Sequence, residues 1–241
     1  MKAIILAGGF GTRLREIVGD IPKPMASIVG KPFLEHQIRY IQQQDIKDII
    51  LAVHYKSDMI KSYFGNGHRW CVDITYSEEE TPLGTAGAIK RAEKYIDDTF
   101  FVLNGDTYSS LNFAKFLEFH TSRGSDFTIS LGKSKSPYHY GNVVVDGDKI
   151  TEFAEKRETT SNLINRGIYI ISPKIFNYIE KEKNVSLEKE IFPKLAKEEL
   201  LYGYECGGYF MDIGRPETYN QFKNDMLENS FLVKWNKVRE A

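Results

Sequence analysis

The chain opens with a short apolar run that ends in a glycine-rich turn, Ala3-Ile4-Ile5-Leu6-Ala7-Gly8-Gly9-Phe10-Gly11-Thr12-Arg13. An apolar run of this length, stopped by two glycines, is typical of a strand covered on both faces in a parallel α/β sheet. We therefore expect Ala3 to Ala7 to form the first, central strand. The glycines after it let backbone N–H groups approach a phosphate closely, so the turn predicts a phosphate-binding loop.

The segments after this loop alternate between helical and strand-like patterns. Leu34, Ile38 and Ile41 recur at helical spacing, and further segments follow in which helical patterns (59–64 and 86–95) lie between strand-like runs (49–53, 72–76 and 100–103). Alternation of this kind predicts a doubly wound, Rossmann-like α/β sheet sandwiched by helices.

The second half of the chain is richer in strand patterns. Runs 142–146 and 149–153 flank Gly147 in an Asp-Gly turn and predict a β-hairpin, and 165–171 predicts another strand. Pro173 and Pro216 mark the starts of helices. Because no linker, repeat or low-complexity tract separates the halves, we interpret residues 1–241 as a single domain with a small β-rich extension.

Composition excludes several classes of protein. The 241 residues are 41% hydrophobic and 27% charged, as in ordinary globular proteins, and a net charge of -1 gives no reason to expect nucleic-acid binding. Cys71, Cys206 and the five histidines show no metal-ligand spacing, so we expect reduced cysteines and no zinc site. The first apolar run is too short for a signal peptide and no later run is long enough to cross a membrane, which predicts a cytoplasmic protein without a membrane partner.

The glycine-rich loop does not fit the two common phosphate-binding motifs. A dinucleotide fingerprint needs glycine where Leu14 stands, and a Walker loop needs Gly-Lys followed by Ser or Thr. A glycine pair alone more often merely ends a strand. Lys23 favours the phosphate interpretation, because Pro22 and Pro24 fix the backbone on either side of its charge.

Four segments together resemble the sugar-1-phosphate nucleotidyltransferases: Leu6-Ala7-Gly8-Gly9-Phe10-Gly11-Thr12-Arg13-Leu14, Pro22-Lys23-Pro24-Met25, Pro82-Leu83-Gly84-Thr85-Ala86-Gly87 and Leu103-Asn104-Gly105-Asp106. The likeness runs from Met1 to about Phe222. Within the family, the stretches 79–87 and 212–219 are most similar to D-glycero-alpha-D-manno-heptose 1-phosphate guanylyltransferases. The resemblance implies the nucleotide-diphospho-sugar transferase fold, with a sugar-binding β-rich extension. It also implies a Mg²⁺-assisted, in-line attack of a sugar 1-phosphate on the α-phosphate of a nucleoside triphosphate.

The resemblance assigns a role to each matching position. Arg13 and Lys23 are implied to be catalytic, and Asp106 and Asp212 to hold Mg²⁺. The implied nucleotide-binding residues are Leu6, Ala7, Gly8, Gly9, Gly11, Thr12, Arg13, Glu79, Pro82, Gly84, Thr85, Asn104 and Gly105. The implied sugar-binding residues are Tyr140, Gly141, Glu155, Lys156 and Asn165. Arg166 departs from the small residue usual in the family, and it either contacts a phosphate or acid group or points outward.

Elementary chemistry supports two of these assignments. Asp106 follows the strand pattern 100–103, at the carboxyl end of a sheet, where ligands of α/β folds bind, and two carboxylates plus substrate phosphates suit Mg²⁺. Glu79 accepts hydrogen bonds only, so it favours guanine, whose N1–H and 2-amino groups are adjacent donors, over uracil or thymine. The other interpretation of Glu78-Glu79-Glu80 is three solvated glutamates in a loop.

The favoured hypothesis is therefore an enzyme that joins GTP to a heptose 1-phosphate, giving a GDP-sugar and pyrophosphate. Alternatives in the same class are a mannose-1-phosphate guanylyltransferase, a glucose-1-phosphate thymidylyltransferase and a sugar-1-phosphate uridylyltransferase. A glycosyltransferase is a more distant alternative, although the Asp-x-Asp motif usual there is absent at Asp106-Thr107-Tyr108. A nucleotide sensor on the same fold is another. The sequence leaves the oligomeric state open, a homo-oligomer included.

Overall fold

The computed structural model describes residues 1–134, 136–155 and 161–228. Its strands, numbered along the chain, are β1 (Lys2–Leu6), β2 (Ser27–Ile28), β3 (Lys31–Pro32), β4 (Asp48–Val53), β5 (Asp73–Glu78), β6 (Phe100–Asn104), β7 (Thr107–Ser109), β8 (Phe127–Lys133), β9 (Gly141–Asp146), β10 (Lys149–Glu155), β11 (Leu163–Ile171), β12 (Leu201–Glu205) and β13 (Phe210–Asp212). Its α-helices are α1 (Arg15–Val18), α2 (Phe33–Gln42), α3 (Ser57–Phe64), α4 (Gly84–Arg91), α5 (Phe113–Ser122), α6 (Phe192–Lys197) and α7 (Pro216–Leu227). Short 3₁₀ turns include Thr12–Leu14, Lys23–Met25, His68–Trp70, Glu93–Tyr95, Pro137–His139 and Pro173–Asn177, and Leu187–Ile191 forms a π-helical turn.

The chain divides into two compact units. The first contains residues 1–81, 103–112 and, within the described chain, 208–228. The second contains residues 82–102 and 113–207. The interpretation of residues 1–241 as a single domain stays a prediction.

The first unit is built on parallel strands. β1 pairs in parallel with β4, and β4 pairs in parallel with β5. Ala3, Ile4 and Ile5 have no exposed surface, as expected for a strand that is covered on both faces. The apolar residues of α2 are also buried, which confirms the helix predicted from their spacing.

The end of this unit contributes one strand and one helix. β13 pairs antiparallel with β7, in the register Asp212 to Thr107. In α7, the ring of Phe222 packs at 5.4 Å from Phe33 and 5.5 Å from Tyr108, measured between centroids. These aromatic contacts hold α7 against α2 and β7, and so they help to position β13, which precedes it.

The second unit has a mixed sheet, in which strands lie in the order β11-β8-β12-β10-β9. β11 is antiparallel to β8, whereas β12 is parallel to β8. β9 and β10 form the predicted hairpin, with Asp146 opposite Lys149. Gly147 adopts a positive φ of 57° in the turn, a conformation that favours glycine.

The cysteines and the helices bear on the expected reduced cysteines and on the expected lack of a membrane span. Neither Cys71 nor Cys206 forms a disulfide bond. None of the helices in the described ranges has the length and apolar character needed to cross a membrane.

Candidate active site

The glycine-rich loop leaves β1 at the carboxyl end of the parallel strands. Ala7 N donates to Ala52 O at 2.8 Å, which continues the β1–β4 ladder by one residue before the chain turns away. A Cβ added at Gly9 would meet no atom of the described part of the chain within 4 Å. Thr12 and Arg13 are exposed on the 3₁₀ turn that follows. The loop therefore presents open backbone at Gly9 and an exposed cationic side chain at Arg13, as a phosphate site requires.

Gly11 brings this loop against Lys23. Its φ is +63°, and a Cβ added there would lie only 2.8 Å from Lys23 Cβ. The backbone of residue 23 begins a short 3₁₀ turn directly after Pro22, and Pro24 is buried. The lysine is thus held by the two prolines and by a glycine that leaves room for it.

Two carboxylates of the first unit converge near the lysine. Lys23 Nζ lies 2.5 Å from Asp106 Oδ2. A Cβ added at Gly214 would lie 3.1 Å from Lys23 Nζ and 2.9 Å from Asp212 Oδ1. Ile213 N donates to Asp106 O at 2.8 Å, so the main chain beside one aspartate is bonded to the main chain of the other. The sequence-predicted Lys23, Asp106 and Asp212 are therefore neighbours in space.

Electrostatics keep Asp106 ionised. Burial alone would raise the pKa of this carboxyl, but the charge of Lys23 and hydrogen bonds from Lys23 and Thr107 outweigh it and lower the pKa. Asp212 Oδ1 accepts a hydrogen bond from Gly214 N at 2.8 Å, which orients that carboxylate as well. Both groups are held in defined positions before any ligand binds.

The donor atoms here fit the predicted magnesium site. Within the described ranges, no group of three or more His, Cys, Asp or Glu side chains is arranged to hold a metal. Two carboxylates with phosphate oxygens as the remaining ligands are, however, the set that Mg²⁺ commonly takes in phosphate-binding sites. The ammonium group of Lys23 against Asp106 also shows that this place accommodates a cation.

Glu79 is distinct among the three consecutive glutamates. Its neighbours Glu78 and Glu80 are exposed, whereas Glu79 is 7% exposed. Its N–H donates to Val53 O at 2.9 Å, and His54 Nδ1 lies 2.8 Å from its carbonyl oxygen. A Cβ added at Gly8 would lie 3.3 Å from Glu79 Oε1, so this carboxylate lies beside the glycine-rich loop. For this residue the solvated-loop interpretation is wrong, because its carboxylate is packed.

The turn at Asn104 and Gly105 is the last part of the predicted nucleotide site that lies in the first unit. Gly105 N donates to Leu6 O at 3.1 Å, and a Cβ on Gly105 would lie 2.3 Å from the same oxygen. Only glycine fits there. Within the described residues, the buried Oδ1 of Asn104 accepts no hydrogen bond. A bound ligand can supply the missing donor.

The segment Pro82–Gly87 lies in the second unit, where it packs against residues 183–188. Gly84 has φ +70°, and a Cβ on it would lie 2.5 Å from Val185 O. Asn184 Nδ2 donates to Pro82 O at 2.8 Å. Thr85 Oγ1 donates to Glu188 Oε2 at 2.7 Å and accepts from Leu187 N at 2.8 Å. The hydroxyl of Thr85 is therefore engaged by the protein, and its nucleotide-binding role stays a prediction.

Three of the predicted sugar-binding residues lie close together in the second unit, namely Gly141, Glu155 and Asn165. Glu155 is opposite Gly141 in the β9–β10 ladder, and a Cβ on Gly141 would lie 2.9 Å from Glu155 Oε2. β9 also pairs with β11 at Asn142 and Ile164, next to Asn165. Tyr140 directly precedes this strand and is partly exposed. Lys156 lies outside the described residues.

Asn165 is oriented by its own strand. Its Nδ2 donates to Tyr169 Oη at 2.9 Å, and its Oδ1 accepts from Gly167 N at 2.8 Å. The register of β11 against β8 shifts between residues 165 and 169. This bulge places the amide of Asn165 and the Tyr169 hydroxyl side by side.

The outward course expected as one alternative for Arg166 is wrong. The side chain is 2% exposed, and its Nη1 donates to Cys206 O at 2.8 Å and to Gly207 O at 2.6 Å. Gly132 makes this inward course feasible, because any Cβ there would lie 2.8 Å from Arg166 Cδ. Arg166 holds the backbone at the end of β12, and a contact to a phosphate or acid group stays a prediction.

Comparison with known proteins identifies the family. Residues 2–229 match the nucleotidyl transferase family. The D-glycero-alpha-D-manno-heptose 1-phosphate guanylyltransferase of Aneurinibacillus thermoaerophilus is 38% identical over 227 residues, 94% of this chain and 98% of the relative. The mannose-1-phosphate guanyltransferase of Yarrowia lipolytica is 42% identical over 226 residues, 91% of this chain; this chain spans 62% of that relative's length.

The solved structures confirm the predicted nucleotide-diphospho-sugar transferase fold. HddC from Yersinia pseudotuberculosis, in a crystal structure complexed with GMP-PN, superposes with a TM-score of 0.82 at 38% identity and covers 93% of this chain and 99% of its own. The resemblance to sugar-1-phosphate nucleotidyltransferases is likewise confirmed by the relatives. With a family match over almost its whole length, this chain belongs to the nucleotidyl transferase family.

Proposed function

We propose that the chain is a guanylyltransferase that joins GTP to a sugar 1-phosphate, giving a GDP-sugar and pyrophosphate. The observation that carries the proposal is the convergence of the glycine-rich loop, Lys23, Asp106 and Asp212 within the first unit. The names of both relatives described above are those of guanylyltransferases, which supports GTP as the nucleotide.

The reaction needs positioned positive charge more than it needs an acid or a base. A phosphate oxygen of the sugar 1-phosphate forms a bond to the α-phosphorus, and the bond from that phosphorus to the bridging oxygen breaks, so pyrophosphate leaves with the electron pair. The nucleophile is already an anion, and no proton has to be removed. Lys23, Arg13 and the backbone N–H groups of the loop would stabilise the charge that gathers in the transition state.

Asp106 and Asp212 would hold magnesium, with phosphate oxygens as further ligands. When bound, the ion supplies positive charge that reduces the repulsion between the two phosphates. The residues of the chain hold the two carboxylates ready: Lys23 and Thr107 bond to Asp106, and Gly214 N bonds to Asp212. Lys23, which bonds to Asp106 in this structure, would bind a phosphate oxygen of the substrate with the same ammonium group.

Glu79 would select the base. Its carboxylate is buried beside Gly8 and can accept hydrogen bonds from two adjacent donors, which guanine offers. Uracil and thymine would instead direct carbonyl oxygens at the carboxylate, with a repulsion that a low-dielectric site enlarges. Thymidylyl and uridylyl transfer remain alternatives that the test below separates.

Two sugars stand as candidates for the second substrate. D-glycero-alpha-D-manno-heptose 1-phosphate is supported by a relative that this chain covers almost completely, and mannose 1-phosphate by a relative of higher identity that it covers in part. Glu155 and Asn165 would bind hydroxyl groups of either sugar, and Tyr140, Gly141 and Lys156 belong to the same predicted subsite.

The test is a matrix of GTP, ATP, dTTP and UTP against heptose, mannose and glucose 1-phosphates, with pyrophosphate release as the signal. We expect release with GTP and a manno-configured sugar phosphate, and none without magnesium. Preference for dTTP or UTP would contradict the role given to Glu79. Binding of GTP without turnover on any sugar phosphate would favour a sensor, and consumption of a GDP-sugar with transfer of its sugar would favour a glycosyltransferase. The proposal keeps the predicted cytoplasmic location.

A further inference from the structure

Gln37 is a polar residue on the buried side of α2. Its surroundings on that helix face are the apolar Leu34, Ile38 and Ile41, and the glutamine itself is 2% exposed. Burying an amide group is costly unless hydrogen bonds replace those it made with water. An amide at this position therefore needs a specific partner, and the structure provides two.

Both amide hydrogens of Gln37 are donated to carbonyl groups of one turn. Gln37 Nε2 donates to Asn104 O at 2.8 Å and to Thr107 O at 2.7 Å. The amide orientation follows from these partners, because an oxygen in place of the nitrogen would face two carbonyl oxygens. Within the described part of the chain Oε1 accepts no hydrogen bond, so the side chain is anchored through its donors.

The two carbonyl groups bracket Gly105 and Asp106, and the same turn is held from two further sides. Gly105 N donates to Leu6 O at 3.1 Å, and Ile213 N donates to Asp106 O at 2.8 Å. Of these three anchors, the one from α2 depends on a single side chain. Removing the amide of Gln37 therefore releases the α2 side of the turn and leaves the other two bonds in place.

We infer that Gln37 is a positioning residue for the magnesium-binding carboxylate of Asp106, acting through the two carbonyl groups on either side of it. The inference rests on the proposed function, because it takes Asp106 as a metal ligand. Metal affinity depends on how firmly groups outside the ligand set orient the ligands, and losing such a group costs about 10- to 100-fold in metal affinity or activity. Gln37 touches neither the metal nor the substrate in this scheme.

A purely structural role makes a different prediction, and α2 provides the matched control. Tyr40 lies on the same helix and makes a comparable pair of bonds: its Oη donates to Leu111 O and accepts from Leu111 N, both at 2.6 Å. Those bonds hold a segment beyond β7 rather than the turn of Asp106. Tyr40→Phe therefore removes buried side-chain to backbone bonds, while it keeps the ring that packs 5.2 Å from Tyr108 and the two bonds from Gln37 to the turn of Asp106.

The experiment measures Mn²⁺ binding to the full chain by electron paramagnetic resonance, with GTP present and no sugar phosphate, so that no turnover occurs. Wild type, Gln37→Met, Tyr40→Phe and Asp106→Asn are compared, and the thermal midpoint of each is recorded. We expect Gln37→Met to weaken Mn²⁺ binding about 10-fold or more, while Tyr40→Phe lowers the midpoint but binds Mn²⁺ as wild type does. If Gln37→Met does not fold, Gln37→Leu, which also removes both donors without adding a charge, is measured in its place.

The outcomes distinguish the positioning role of Gln37 from the proposed metal-binding role of Asp106. Failure of wild type to hold Mn²⁺, or equal binding by Asp106→Asn, would overturn the metal assignment itself. If Asp106→Asn loses the ion while the Gln37 variant binds it within twofold of wild type, the proposed function stands and the role of Gln37 is wrong. Equal weakening by Tyr40→Phe would also overturn that role, because it would trace the effect to general loss of stability.

Discussion

Lys23 and Asp106 form an ion pair in the first unit, with Nζ 2.5 Å from Oδ2, although 83 residues separate them in sequence. The lysine side chain is 12% exposed, so its charge is withdrawn from water and directed at the carboxylate. Pro22 and Pro24 fix its backbone, and the turn at Gly105 fixes the aspartate. This pair places the ammonium group of Lys23 where a divalent ion and phosphate groups are proposed to meet.

Replacing Lys23 by alanine tests its catalytic role. We expect kcat to fall about 10²-fold or more, because a charge aimed at the transition state is lost. The fold should survive, since Asp106 keeps its hydrogen bond from Thr107 and is partly exposed. Lys31→Ala removes a lysine that also pairs with a carboxylate, at 3.7 Å from Glu35, and serves as the control. A kcat within threefold of wild type for Lys23→Ala would remove Lys23 from the reacting centre.

Gly9→Ala separates ligand contact from protein stability. None of the described residues lies within 4 Å of the added Cβ, so the free energy of unfolding should stay the same or rise by up to about 1 kcal/mol. A phosphate lying against the loop would meet the methyl group, and we expect KM for GTP to rise at least tenfold. In Gly207→Ala the added Cβ also meets none of the described residues within 4 Å, so its effect on the free energy of unfolding should be similar, while KM for GTP should not change. An unaltered KM in Gly9→Ala would mean that phosphate does not approach this part of the loop.

Glu79→Gln tests base selection through a comparison of GTP with ITP, which lacks the 2-amino group. Wild type should prefer GTP, because the carboxylate accepts from both N1–H and the amino group, and such a pair of bonds is worth about 1 to 3 kcal/mol. The glutamine variant can accept only one of them with its oxygen, so we expect the ratio of kcat/KM values to fall about tenfold or more, in line with those energies. Equal ratios in wild type and variant would show that Glu79 does not read the amino group.

The carboxyl group of Glu188 predicts how the stability of the folded chain changes with pH. Burial raises the pKa of this carboxyl above its ordinary value of 4.5 and the charge of Glu155 raises it further, while hydrogen bonds from Thr85 and Ser186 oppose the rise. Its protonated form therefore stabilises the folded chain; this contribution is complete below the unfolded pKa and is lost as pH rises through the folded one. Glu188→Gln removes the titration and keeps an oxygen for both hydroxyl donors. Thermal unfolding should find the variant increasingly more stable than wild type as pH rises from about 4 to about 8. A difference that is the same at every pH would contradict the raised pKa.

Much of the first unit could be predicted from its sequence. β1, α2, β4 and the helix starting at Pro216 each carry a strong local pattern: a run closed by glycines, a helical repeat, an apolar run or a proline. The meeting of Lys23, Asp106 and Asp212 came from family resemblance, since no local pattern indicates that residues 23, 106 and 212 are neighbours. Their proximity depends on the pairing of β7 with β13, which joins segments about a hundred residues apart.

The parts that could not be predicted depend on contacts between distant segments. Arg166 turns inward because Gly132, on the paired strand β8, leaves space for it, and nothing around residue 166 in the sequence records that space. The role of Thr85 in holding residues 187 and 188 is equally non-local. Gln37 did leave a signal: an amide stands within the apolar repeat of Leu34, Ile38 and Ile41. A polar residue at such a position indicates a buried hydrogen-bond partner, although not which one.

A crystal structure of the chain with GTP and Mg²⁺ would show whether the glycine-rich loop, Lys23 and the two aspartates bind one nucleotide. We expect a triphosphate against residues 8–13, a metal ion contacting carboxylate oxygens of both Asp106 and Asp212, and Lys23 Nζ on a phosphate oxygen. A nucleotide bound elsewhere, or a metal ion that contacts neither aspartate while the Lys23–Asp106 pair stays closed, would contradict this expectation.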